Sequence, residues 1–358
     1  DLLTEMKKQN VPGIIVVGGP GTGVKPLATT QRACNLSATE KILQFGPLLK
    51  KRNLIDHYVI GDGEDAVLEL LSKNTVPSEK VFSEQFKSPV PDYTDYNFKD
   101  YLSSNNVYLP ITGSKGCVRD CTFCDVPGQF GRFKYRTGKD IAGEIIHLHE
   151  KYGVKIFEFT DSVVNGSLKA FREWLGVLAE YNDQKAPDQK IRWFGQYICR
   201  PQAQTPKDIY ELMSRAGVQN LVIGVESGSD EILEAMRKKM KVQDVYDELE
   251  QFYQHGIKSH YLMLSGYHSE TQEDFLKTLE FLIELRTWVA RGVVSKISLG
   301  PPLYINDKMY LYEAADQLGI IHDTTNDFNW TVADNPNNDY PWRSLNRLII
   351  QLLLLVWY

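Results

Sequence analysis

Cysteine is scarce in this chain, and long apolar runs and a basic surplus are missing. Five cysteines among 358 residues, an odd number with three of them bunched within eight positions, do not make a disulfide framework. Free thiols suit a reducing compartment, and a cytoplasmic protein is expected. No stretch reaches the ~20 apolar residues of a membrane span, and the N-terminus lacks the apolar centre of a signal peptide. The apolar tail from Leu348 to Tyr358 is too short to cross a bilayer and is expected to pack as a core helix. Because the chain begins at Asp1 without Met and stops inside that run, it is expected to be a piece of a longer protein. A net charge of −6 offers no electrostatic footprint for nucleic acid. The local patch of Arg132, Lys134, Arg136 and Lys139 reads as a solvated basic loop at least as well as a phosphate contact.

What is present is an ordinary globular composition. Hydrophobic residues at 42% and charged residues at 24% exclude a disordered or fibrous chain, and the length allows one large domain plus a smaller one. The most informative segment is Gly116-Cys117-Val118-Arg119-Asp120-Cys121-Thr122-Phe123-Cys124, three thiols at C-x3-C-x2-C spacing. Iron–sulfur clusters are normally held by four cysteine thiolates. A loop with three leaves one iron of a cubane open to a substrate or cofactor. The alternative, a structural zinc site, takes four Cys or His ligands. Nothing nearby supplies the fourth: His147 and His149 lie more than twenty residues downstream in a helical pattern, and Cys34 and Cys199 are remote. Cys199 reads as a small buried hydrophobe.

With Phe123 as the aromatic, C-x3-C-x-aromatic-C resembles the signature of the radical S-adenosylmethionine (SAM) enzymes. The resemblance implies that Cys117, Cys121 and Cys124 hold a [4Fe–4S] cluster whose open iron chelates the amine and carboxylate of SAM. It also implies reductive cleavage of SAM to methionine and a 5′-deoxyadenosyl radical, a flavodoxin- or ferredoxin-like electron donor, and an unidentified substrate that loses a hydrogen atom. Reactions of the family include methyl transfer and other C–H functionalisation.

From residue 106 onward, apolar runs alternate with amphipathic runs, the pattern of parallel β/α units. Six strands are predicted, at 106–112, 154–160, 190–198, 220–226, 257–265 and 294–299. Helix starts are marked by a threonine three residues before a carboxylate at Thr137/Asp140, Thr205/Asp208 and Thr271/Asp274. The expected fold is α/β: a partial (β/α)6 TIM-like barrel over 106–300 preceded by a small, incomplete Rossmann-like α/β domain at 1–75. A connector at 76–105 and an extension at 301–358 complete the division. The active site of such a barrel lies at the C-terminal ends of its strands, where the cysteine loop follows the first strand.

In the N-terminal piece, Gly13 to Pro20 reads as a strand entering a glycine turn and His57 to Glu64 as a strand entering a helix. The turn is not a P-loop, since Val24 separates Gly23 from Lys25 and Pro26 stands where Ser or Thr is required. This piece is similar to the C-terminal half of the cobalamin-binding domain that precedes many radical SAM cores. Two departures count against cobalamin: the axial-ligand pattern Asp-x-His-x-x-Gly is absent, Asp56-His57 having the wrong spacing, and the segment is short for five strands.

The resemblance also distributes SAM contacts along the strand ends. Thr160, Asp161 and Ser162 stand where the family receives the SAM ammonium, although Asp161 reads equally well as a helix cap. Gln196 and Arg200 belong to the third strand, whose terminal arginine suits a carboxylate; surface ion pairing is the alternative. Gly224 and Glu226 lie in Ile-Gly-x-Glu-Ser-Gly, which flanks the adenine, and Phe123 adjoins the cluster. Gly266 opens a turn that matches Gly-x-Pro-Gly-Glu-Thr except at His268 and Ser269. Tyr197, His260, Tyr261 and His268 lie near strand ends, as substrate contacts or as core, and no catalytic residue is assigned. Two other functions fit less of the pattern. An RNA-modifying methylthiotransferase would carry a second three-cysteine cluster and a basic C-terminal domain, and a non-catalytic iron–sulfur or zinc protein would need none of these strand ends together.

Overall fold

The computed structural model describes residues 15–17, 37, 43–59, 63, 68, 69, 71, 72, 88–98, 107–323 and 326–357. At the N-terminus, β1 (Val16–Val17) pairs in parallel with β2 (His57–Tyr58), and helix α1 (Phe45–Lys51) precedes β2. The Asp56 carboxylate accepts the Ile15 N–H at 2.7 Å. A parallel pair joined through a helix is the α/β pattern expected there. The glycine turn from Gly18 to Lys25, Asp62 and Cys34 lie outside the described residues.

The main sheet holds β3 (Tyr108–Ile111), β6 (Ile156–Phe159), β7 (Arg192–Tyr197), β8 (Val218–Glu226), β9 (Ser259–Met263) and β10 (Val294–Leu299), all parallel and adjacent in chain order. These are the six predicted strands, trimmed by a residue or two at most ends. Between β3 and β6 run a small hairpin of β4 (Ser114–Lys115) and β5 (Lys134–Tyr135), which brackets short helix α2 (Val126–Phe130), and then α3 (Gly138–Tyr152). Helices α4 (Leu168–Asp183), α5 (Ile209–Arg215), α6 (Asp230–Ala235), α7 (Val242–His255) and α8 (Gln272–Ala290) provide the later crossovers.

Alternation along each strand sorts side chains between two faces. In β7, Trp193, Gly195 and Tyr197 are buried against the helices while Gln196 on the other face is exposed. The helix side holds the core, where Trp174 of α4 packs on Trp193 at 4.8 Å and on Phe159 at 4.9 Å between ring centres. The other side is concave and carries Glu158, Asn220, His260 and Lys296. Tyr197 and Tyr261 point into the core, so the alternative of substrate contact falls away for both.

Two of the three marked helix starts hold. Thr137 caps α3 and Thr271 caps α8. Thr205 does not: it is buried behind a 3-10 turn at Gln202–Gln204, and α5 begins only at Ile209. Beyond the barrel come α9 (Tyr310–Glu313), the hairpin of β11 (Ile320–His322) and β12 (Trp330–Val332), and α10 (Tyr340–Trp357). The apolar tail is helical but is not a core helix. Ile350 is fully buried, whereas Leu352 is 53% and Leu355 76% exposed, because only one face of α10 has a sheet to pack against.

Candidate functional site

The cysteine loop leaves β3 at the C-terminal end of the sheet, the end predicted for chemistry. Its first residues are fastened by Asp161, whose carboxylate accepts the Gly113 N–H at 2.9 Å and the Ser114 hydroxyl. Burial pushes this carboxyl up to about 6, opposed by those hydrogen bonds. Asp161 is therefore no helix cap; α4 is capped by Ser167. Thr160 shares a hydrogen bond of 2.8 Å with Thr112 across β3 and β6, and half-buried Ser162 follows in the same turn.

Cys117, Cys121 and Cys124 are free, half-buried thiols. The Arg119 N–H reaches Cys117 Sγ at 3.4 Å, and the Cys124 N–H reaches the Cys121 carbonyl at 3.1 Å. Burial pushes the Cys124 thiol up to about 12 and raises Cys121, where the Lys238 ammonium works against it. Such thiols carry charge when a metal compensates it, since coordination deprotonates a thiol outright. Among the described residues, no three His, Cys, Asp or Glu side chains converge as ligands of a single ion.

Phe123, Cys124 and Glu226 line one cavity of about 330 Å³, together with Leu262, Ser298 and Tyr304. Glu226 sits at the end of β8 in a left-handed backbone conformation, φ 77°. Its carboxylate folds back over Gly224, where an added Cβ would stand 2.3 Å from Oε1 and 3.3 Å from Lys238 Nζ. Gly224 thus makes room for an ion pair, Lys238 Nζ to Glu226 Oε1 at 3.4 Å, with both side chains largely buried. Lys238 Nζ also lies 5.8 Å from the centre of the Phe123 ring.

The remaining predicted residues spread around this centre. Arg200 lies past the end of β7 and donates to the carbonyls of Asn165 at 3.1 Å and Gly166 at 3.4 Å rather than to a surface carboxylate. Among the described residues, Nε of Arg200 and Nε of Arg119 are buried without hydrogen-bond partners, and burial and the Arg119 charge lower the hold of Arg200 on its proton. Gln196 faces the concave side. The Gly266 N–H is taken by the Glu270 carboxylate at 2.6 Å, and Arg343 packs where a Cβ would stand. Lys238, Tyr267 and Arg119 went unassigned in the sequence. The one signal for Lys238 was the cationic triplet Arg237-Lys238-Lys239 between Met236 and Met240.

Comparison with known proteins agrees with this geometry. Residues 111–282 match the Radical SAM superfamily. The anaerobic magnesium-protoporphyrin IX monomethyl ester cyclase of Synechocystis sp. is 24% identical over 78% of this chain and 56% of its own length. The ribosomal protein uS12 methylthiotransferase RimO of Thermosipho melanesiensis is 29% identical over 53% of this chain and 44% of its own. Among solved structures, the radical SAM methyltransferase TsrM from Kitasatospora setae, with cobalamin and a [4Fe-4S] cluster bound, has a TM-score of 0.64 and 17% identity, covering 89% of this chain and 62% of that one. That likeness is one of fold. The chain spans little more than half the length of the cyclase and less than half that of the methylthiotransferase. Residues 111–282, which carry the three-cysteine loop at the C-terminal end of a six-stranded parallel sheet, form a domain that matches the radical SAM superfamily.

Proposed function

We propose that this protein cleaves SAM reductively and uses the resulting radical to functionalise a C–H bond of its substrate. The observation that carries the reading is the shared cavity of Phe123, Cys124 and Glu226, with Lys238 at its edge. Cys117, Cys121 and Cys124 would hold a [4Fe–4S] cluster, which when bound supplies the electron that splits SAM into methionine and a 5′-deoxyadenosyl radical. The chain's own part is binding and exclusion. Glu226 and Lys238 offer one group of each sign to a zwitterionic amino acid. Leu262 and Phe123 give apolar surface to an adenine, and the segment from Gly300 to Tyr304 lines the same cavity. Arg119 and Arg200 hold positive charge beside Cys117, where the cluster's thiolates would be negative.

The site residues are assigned in the same terms: Phe123, Gly224 and Glu226 at the SAM cavity, and Thr160, Asp161, Ser162, Gln196, Arg200 and Gly266 around its rim and base. A reducing compartment and a flavodoxin- or ferredoxin-like donor suit these thiols. We assign residues 106–300 to the catalytic core, 1–75 to a partial cobalamin-binding-like domain, 76–105 to a connector and 301–358 to an extension. Methyl transfer with cobalamin is the reaction to try first, because the TsrM structure that shares this fold carries both cofactors.

The test is anaerobic reconstitution with iron and sulfide, reduction, addition of SAM, and mass spectrometry for 5′-deoxyadenosine and methionine. Both products are expected. Replacing any one of Cys117, Cys121 and Cys124 by Ala should abolish them, while Cys199→Ala should leave them. A cluster that assembles without cleaving SAM would overturn the proposal, as would near-normal turnover in a loop variant.

A further inference from the structure

Thr122, between Cys121 and Phe123, is held by three segments that are remote in sequence. Its N–H donates to the Met236 carbonyl at 3.2 Å, and its carbonyl accepts the Leu311 N–H at 3.1 Å. Its hydroxyl meets the Tyr267 hydroxyl at 2.6 Å. Both hydroxyls also reach the Ala235 carbonyl, Tyr267 at 2.9 Å and Thr122 at 3.4 Å, so the hydrogen-bonded pair shares one acceptor. Both side chains are buried.

Tyr267 is itself gripped from the C-terminal side. The Asn338 amide donates to the Tyr267 carbonyl at 2.7 Å, the Asn335 amide to the Glu270 carbonyl at 3.0 Å, and Arg343 to the Asn338 carbonyl at 2.7 Å. Around these bonds lies a second hydrophobic core, separate from that of the barrel. It gathers Met236, Tyr267, Leu303, Leu311 and Trp330, with Phe123 packed against it.

We propose that Tyr267 is a positioning residue for the cluster loop, and that residues 303–343 act on the cluster site through it. The proposal rests on the reading that Cys117, Cys121 and Cys124 hold the cluster. A hydroxyl that fixes the residue between two ligands fixes where their sulfurs point. The device joins a part of the chain with no cluster ligand to the cluster's surroundings.

The experiment uses the full chain with Tyr267→Phe, Asn338→Ala, Thr122→Val and Thr122→Ser. In metal-free protein, amide hydrogen exchange over residues 117–124 should quicken about tenfold in Tyr267→Phe and Thr122→Val, the cost of one buried hydrogen bond lost. Asn338→Ala should move it in the same direction. Thr122→Ser, which keeps the hydroxyl, should match the parent, and amides of α4 should be unchanged in all. In reconstituted protein, Tyr267→Phe should alter the electron paramagnetic resonance spectrum of the reduced cluster and its response to SAM, with faster iron loss to a chelator. Unchanged exchange at 117–124 overturns the proposal, as does an equal rise throughout the chain or an unaltered cluster spectrum. The exchange arm needs no cluster. A parent chain that takes up no iron would therefore defeat the functional reading, while exchange still decides the role of Tyr267.

Discussion

A single buried carboxyl, Glu248, shows how residue-scale chemistry shapes the protein's response to pH. It accepts the Tyr197 hydroxyl at 2.8 Å and the Tyr210 hydroxyl at 3.4 Å, facing Cys199, with the Arg200 charge opposing the effect of burial. Burial raises it from 4.5 to about 7. Between those values the folded protein keeps a proton that the unfolded chain has released. Stability from this group is therefore full below about pH 4.5 and falls as pH rises towards 7. Glu248→Gln keeps an acceptor and removes the titration, so the fall of Tm between pH 5 and pH 7 should flatten, as differential scanning fluorimetry across buffers would read. An unchanged slope would assign the fall to other groups. The three-cysteine loop stood out in the sequence because its thiols are neighbours along the chain. Lys238 and Tyr267 were not, since their places follow from where α6 and the turn after β9 come to rest. Asp161 was half legible: its position was marked, but only the fold shows its carboxylate fastening Gly113 and Ser114.

At the scale of elements, local chemistry set the helix starts where nothing competed. Thr271 and Asp274 form a reciprocal capping box at α8, each side chain taking the other's backbone N–H. Thr271→Ala should cost about 1 kcal/mol in urea denaturation. Asp274→Ala should cost more, about 2 kcal/mol, because it also strips the Ser229 hydroxyl, the cap of α6, of its 2.6 Å partner. Equal costs would show that the two helices are capped independently. At Thr205 the same sequence signal misled. The chain there first closes a 3-10 turn, and the first α-helical bond comes only with the Leu212 N–H on the Asp208 carbonyl. Strand positions were read well because each is a run buried on one side and bounded by amphipathic helices. The hairpin of β4 and β5 offered two residues a strand, too few for a period to show.

Across the whole molecule, two cores meet at the turn after β9, and Arg343 packs on that turn against Gly266. Its guanidinium is fully buried, lies 3.6 Å from the centre of the Trp330 ring, and donates to the carbonyls of Phe328, Trp330 and Asn338. Arg343→Ala leaves those carbonyls unpaired and a cavity beside Gly266. A loss of about 3 kcal/mol or more is expected by urea denaturation, and near-parent stability would show that the extension docks without it. The extension was the least legible part of the chain, for its contacts run back as far as the 27 positions from Trp330 to Leu303 and the 189 from Leu311 to Thr122. The concave side of the sheet stands apart from both cores. Side chains there run from exposed Gln196, set between buried Gly195 and Tyr197, to half-buried His260, set between buried Ser259 and Tyr261. Stability is thus drawn from one face and leaves the other nearly free of it. Residues lining the hollow can be exchanged with little loss of folding, so this architecture lets inheritance alter what the protein grips without first having to rebuild what it is.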